Sequence, residues 1–198
     1  TTINVNGGTS KTLTISIATG AADVSGDITG TGNFTKSGAG DLTLSGTNTY
    51  TGDTTVSTGT LELTGSLSTS SDLIVSSGAT FDLQATQTVT SLDLDGTISR
   101  SSGTSALTVS GTSDIGGNIT TSGNQLYSGA VLLTGNSILT SSSGAITLSS
   151  TVNGGSTLTV SSSGNLTTSG IIGGTTPLTS LSATAGGNIS YVNNITTT

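Results

Sequence analysis

The feature that most constrains this chain is a short apolar-polar-apolar triplet that recurs from one end to the other. It appears as Leu13-Thr14-Ile15, Leu42-Thr43-Leu44, Leu61-Glu62-Leu63, Phe81-Asp82-Leu83, Leu92-Asp93-Leu94, Leu107-Thr108-Val109, Ile146-Thr147-Leu148 and Leu158-Thr159-Val160. Strict alternation over a few residues marks a half-buried strand, because successive side chains point to opposite faces. The cleanest spacing runs from Leu42 to Leu61 to Phe81, two nearly equal steps, whereas several other steps are too short for a whole repeat. The short steps are read as successive faces of one coil. Gly- and Asn-bearing corners separate the triplets: Gly7-Gly8, Gly38-Ala39-Gly40, Gly116-Gly117-Asn118, Gly154-Gly155, Gly173-Gly174 and Gly186-Gly187-Asn188. No segment of useful length has a helical apolar pattern, and Thr, Val and Ile favour strands.

A sandwich normally shows longer strands and aromatic inner faces. Strands of about three to five residues repeating every ~20 instead fit coils stacked about 4.8 Å apart. The expected fold is all-β, a right-handed single-stranded parallel β-helix (solenoid) of about ten coils of about 20 residues, roughly 45 Å of rod. A lone coil buries too few aliphatic side chains to offset the backbone entropy of ordering it, so stability belongs to the stack. Residues 1–198 are read as one solenoid segment, part of a larger secreted protein whose targeting information lies outside it.

Composition bears on function mainly by exclusion. Charged residues make up 7% of the 198 and aromatic ones 3%, which would fit disorder were the 30% hydrophobic residues not patterned as strands. There is no Cys, His, Met or Trp, so disulfides, thiolate metal sites and cysteine nucleophiles are excluded. The net charge is −7, with Lys11, Lys36 and Arg100 the only basic residues and far apart. Nucleic acid and anionic membrane surfaces demand clustered cations, so neither is expected as a partner. No apolar run approaches the ~20 residues that span a bilayer, so no membrane insertion is expected either.

The stretch Gly32-Asn33-Phe34-Thr35-Lys36-Ser37-Gly38-Ala39-Gly40-Asp41-Leu42-Thr43-Leu44-Ser45-Gly46-Thr47-Asn48-Thr49-Tyr50-Thr51-Gly52 resembles the autotransporter-associated β-strand repeat, continuing through Asp53 to Leu61. Asp41 and Asp53 stand where small residues are commoner in that family. Residues from Gly170 to Leu181, with Thr151 to Gly154 before them, resemble repeats of filamentous-haemagglutinin-like adhesins. These resemblances imply a secreted, rod-shaped passenger at the bacterial cell surface, serving adhesion, aggregation or biofilm contact. Host, matrix or neighbouring-cell ligands are implied without being specified. Residues 65 to 150 share only composition and rhythm with those families.

Candidate chemistry is sparse. Asp82, Asp93 and Asp95, with Arg100 close in sequence, are the best carboxylates for a carbohydrate-active β-helix enzyme. Asp93 and Asp95 share a strand face. Without His or a second base nearby, acid–base work has little support, and outward solvated carboxylates are the expected reading. Glu62 and Asp82 lie one repeat apart in equivalent triplets, so their carboxylates are expected to stack and repel mildly. Calcium would relieve that repulsion, but the calcium-binding Gly-Asp repeat is missing and water with counter-ions suffices. No cofactor, metal or catalytic residue is assigned. Thr47-Asn48-Thr49, Thr86-Gln87-Thr88 and Thr157-Leu158-Thr159 do not recur coil after coil, as an ice-binding array demands. Asn33, Asn118, Asn165, Asn188 and Asn194 begin glycosylation-type triplets and are read as corner residues. Phe34 and Phe81 are expected in the core, with Tyr50, Tyr127 and Tyr191 too scattered for a sugar-stacking platform. The leading reading is a non-enzymatic adhesive rod. The alternative is a fibre subunit assembled end to end through unpaired strand edges.

Overall fold

The computed structural model describes residues 1–7 and 11–198; Gly8, of the expected Gly7-Gly8 corner, lies outside the described residues. Strands and corners account for the described chain, with no helix among those residues, and their strand pairs are parallel. The coils stack into a β-solenoid of about nine turns of about 20 residues.

Each turn has three faces. The first face holds Thr12–Ser16, Asn33–Ser37, Thr54–Val56, Leu73–Val75, Leu92–Leu94, Ser113–Ile115, Val131–Leu133 and Val152–Asn153. Single bridges carry it on to Ile172 and Ile195. The second face holds Ala21–Val24, Asp41–Leu44, Thr60–Leu63, Thr80–Leu83, Thr97–Ser99, Asn118–Thr121, Ser137–Ser141, Thr157–Ser162 and Ser180–Ala185. The third face starts with Thr2–Val5 paired to Asp27–Gly30. It resumes as Thr86–Val89, Ala106–Val109, Gln125–Tyr127, Ile146–Leu148, Leu166–Thr168 and Ile189–Tyr191.

The spacing expected from Leu42, Leu61 and Phe81 is the observed register, since these three residues are neighbours on the second face. Leu92 and Leu107, separated by one of the short steps, lie on the first and third faces of one turn. Turn length varies: Phe81 meets Ile98 after a short turn, and Ile3 meets Ile28 after a much longer one. Corner length absorbs the difference.

Inward residues form columns along the axis. On the second face Leu42, Leu61, Phe81, Ile98, Ile119, Leu139 and Val160 run in unbroken register, all buried. Full burial of such a side chain is worth about 1.5–3 kcal/mol. Phe34 and Phe81 fill the core as expected, and Tyr50 and Tyr127 join them, fully buried. The Tyr50 ring lies 5.9 Å from that of Phe34, tilted by 41°. The Tyr50 hydroxyl pairs with Thr54 Oγ1 at 2.6 Å, and the Tyr127 hydroxyl donates to Gln125 Oε1 at 2.9 Å. Burial pushes both phenols far above their ordinary pKa.

Between Asp27–Gly30 and Thr86–Val89 the third face carries only one bridge, Thr47 to Ser66. Backbone bonds such as Thr49 N to Ile28 O and Asn48 N to Ser66 O join the turns there, and side-chain amides add to them. Asn48 Oδ1 accepts from Ile28 N at 3.0 Å, and Asn48 Nδ2 donates to Ser66 O at 3.0 Å. Gln87 Oε1 accepts from Leu67 N at 2.9 Å, and Gln87 Nε2 donates back to Leu67 O. Asn48 and Gln87 are therefore buried members of the core.

Glycine is needed where successive corners touch. A Cβ on Gly117 would sit 1.8 Å from Gly96 O, so the corners of adjacent turns could not stack. Gly59 adopts φ +70°, which L side chains rarely take, and packs against Gly38 O.

Candidate functional site

The sequence candidates fall on different faces. Asp93 is exposed on the first face, in register with Asp114 of the next turn, and Asp95 is exposed just beyond the strand. Burial raises the Asp93 carboxyl above its ordinary pKa, with the Asp95 and Asp114 charges adding to it. Asp82 belongs to the second face, beside Glu62 of the preceding turn. Among the described residues no group of three or more Asp, Glu, His or Cys side chains is arranged to hold a metal ion.

The stacked pair Glu62 and Asp82 is bridged by an amide. Gln84 Nε2 donates to Glu62 Oε1 and, at 2.9 Å, to Asp82 Oδ2, while Thr43 Oγ1 donates to Glu62 Oε2 at 2.7 Å. Asp82 is only 6% exposed, an unusual place for a carboxylate without an ion pair. It also accepts from Ser101 N at 2.8 Å, from Ser101 Oγ, and from Ser99 Oγ at 3.4 Å. Burial alone would raise its pKa, but the donors from Ser101, Gln84 and Ser99 outweigh it and hold the carboxyl below its ordinary value.

Those bonds anchor the corner formed by residues 100–105. Ser102 Oγ donates to Gln84 Oε1 at 2.6 Å, and Arg100 Nη1 donates to Gly103 O at 2.9 Å. The corner closes further on Ser122, whose Oγ accepts from Ser105 N at 2.8 Å. Gly103 takes φ +70°.

Alongside this corner lies an open groove of about 470 Å³. Arg100, Thr104, Ser122, Ser142 and Ser143 line it, with Gly103 and Gly123 supplying backbone. Arg100 Nε is buried without a hydrogen-bond partner. Sequence reasoning named Arg100 only as a companion to carboxylates and missed the groove. The available signal was the run from Ser99 to Ser105, a stretch without one apolar residue in a chain otherwise marked by them.

Lys36, one of three cations scattered through the sequence, is fully buried. Its ammonium donates to Gly38 O at 2.7 Å and Thr58 O at 2.9 Å. Three of the glycosylation-type asparagines sit at corners or at the strand starts beside them, each with its side-chain oxygen committed. Asn33 accepts from Asp53 N, Asn118 from Ile138 N and Asn165 from Asn188 N.

The fold places the chain among parallel β-solenoid rods, whose repeats are stable only in a stack. Residues 34–63 match the passenger-associated-transport-repeat family. The matched stretch runs from Phe34 to Leu63, through Lys36 and Tyr50, and spans two first-face and two second-face strands. On a β-solenoid this match fits an autotransporter passenger repeat, in line with the resemblance seen over nearly the same residues. A repeat of that family implies a secreted or surface protein. No curated protein and no solved structure matches the chain.

Proposed function

We propose that this chain is a non-enzymatic segment of a bacterial surface rod that mediates adhesion, aggregation or biofilm contact. The observation that carries the reading is the parallel stack, containing a passenger-type repeat, with a six-residue polar corner between Ser99 and Ala106. Such a rod supplies distance from the cell, and its corners supply contact. An enzymatic role draws little support, since Asp82 is occupied by hydrogen bonds from Gln84 and from corner 100–105, and Asp93 and Asp95 lie on another face. Beads coated with the purified chain should gather bacterial or host cells, or extracellular matrix, above albumin-coated beads. Equal capture on both would overturn the adhesive role.

A second reading, end-to-end assembly, rests on the outermost coils. Ile3, Val5, Leu13 and Ile15 at one end, and Leu181, Ala183 and Ala185 at the other, are only half-buried on the axis. A further coil, whether of the same polypeptide or of a second copy, would cover them. Negative-stain imaging separates the two readings: filaments would favour the fibre, and rods about 45 Å long at all concentrations would exclude it.

A further inference from the structure

Corners joining the second face to the third are short elsewhere. Two residues lie between Leu83 and Thr86, three between Thr121 and Gln125, four between Ser141 and Ile146, and three between Ser162 and Leu166. Between Ser99 and Ala106 there are six. The extra length overhangs the shorter corners of the next two turns, and the groove is the space left beside it.

We propose that this groove binds the carboxylate of an acidic saccharide, with Arg100 as its anchor. Three observations point to that chemistry. Arg100 is a cation in a chain of net charge −7, and its guanidinium is tied only by Nη1 to a backbone carbonyl. Its Nε is buried without a partner, so Nη2 is the part of the guanidinium left to meet a carboxylate, through one charge-assisted bond. The walls are hydroxyls and backbone, with no aliphatic or aromatic side chain, whereas most small-molecule sites are lined mainly by apolar groups. A ligand rich in hydroxyl groups and bearing one negative charge suits such a surface. Polyphosphates and nucleic acids do not, because one cation cannot neutralise several phosphates.

The site is also built in advance. Asp82 and Gln84 hold Ser101 and Ser102, and Ser122 holds Ser105, so little ordering remains to be done on binding. The volume lies within the range of roughly 300–1,000 Å³ usual for small-ligand sites. The inference deepens the adhesive reading and depends on it for the occasion on which such a ligand would be met.

Titration of the isotopically labelled chain with glucuronic acid, followed through backbone amide shifts, tests the proposal. Shifts confined to residues 100–105, 122–123 and 142–143 are expected, with none on adding glucose. Arg100→Gln should weaken binding about tenfold or more, as loss of a charge-assisted pair implies. Because Arg100 also closes its own corner, Ser143→Tyr serves as a second variant. That side chain is exposed, and the added ring should block the groove while the spectrum of the stack stays unchanged. Shifts elsewhere, an equal response to glucose, equal binding of a short aspartate peptide, or full binding by Ser143→Tyr would each overturn the proposal. Loss of saccharide binding with cell capture intact would sink this inference alone. Capture failing while saccharide binds would sink only the adhesive role.

Discussion

Lys36 occupies a column whose other members are Ile15, Val56, Val75, Leu94, Ile115 and Leu133. Its aliphatic stem does the work of a Leu there, and its ammonium satisfies two corner carbonyls. Burial pushes its pKa down, and the Asp41 charge partly restores it. Lys36→Ala should cost about 2–4 kcal/mol in urea unfolding, through cavity and lost bonds, and Lys36→Met distinctly less. Equal losses would show that the ammonium, and not the stem, dominates. The inward orientation was legible, because Lys36 follows Phe34 by two residues and strand side chains alternate. Charge was the misleading cue.

Two carboxylates should respond to acid in opposite ways. The Asp82 carboxyl titrates lower when folded than unfolded, so its contribution is full above the unfolded value, near pH 4, and lost as the pH falls through the folded one. Loosening of corner 100–105 below about pH 4 should appear as faster amide exchange at Ser101. Asp93 titrates higher when folded, so its charge opposes the fold above that value. Asp93→Asn should raise the melting temperature at pH 7, and an unchanged or lower value would count against repulsion from Asp95 and Asp114. Sequence spacing foresaw the stacking of Glu62 on Asp82. It did not show Gln84 as the bridge, because that bond depends on where the corner after Leu83 turns.

At the scale of the element, corners carry as much information as strands. Asn118, Asn136, Asn153 and Asn165 each accept a backbone N–H from the following turn. Asn118→Ala should cost about 1 kcal/mol, the usual worth of one such bond, read by urea denaturation. The first two faces were legible from their triplets. The third was legible only in part, through Leu107-Thr108-Val109 and Ile146-Thr147-Leu148, because buried Asn48, Gln87 and Gln125 stand elsewhere in its strands or corners where an apolar residue would have signalled the pattern. Their polarity is met by bonds to neighbouring turns that only the assembled stack creates.

For the whole molecule, the stack makes the cost of a substitution depend on height along the axis. Leu61→Ala, with turns on both sides, should cost about 2–5 kcal/mol. Leu13→Ala, half-buried in the outermost coil, should cost less than half of that in the same urea assay. Similar values for both would mean that the turns do not support one another as the register implies. The rod itself was legible from the sequence because repetition fixes a shape even when single strands are ambiguous.

Four of the corner asparagines also point one way. In each of those four bonds the oxygen belongs to the earlier turn and the N–H to the later one. A completed turn thus holds out the latch for its successor and needs none of those latches in return. In a chain that orders from its first residues onward, the acceptor at those four corners is in place before the turn that uses it.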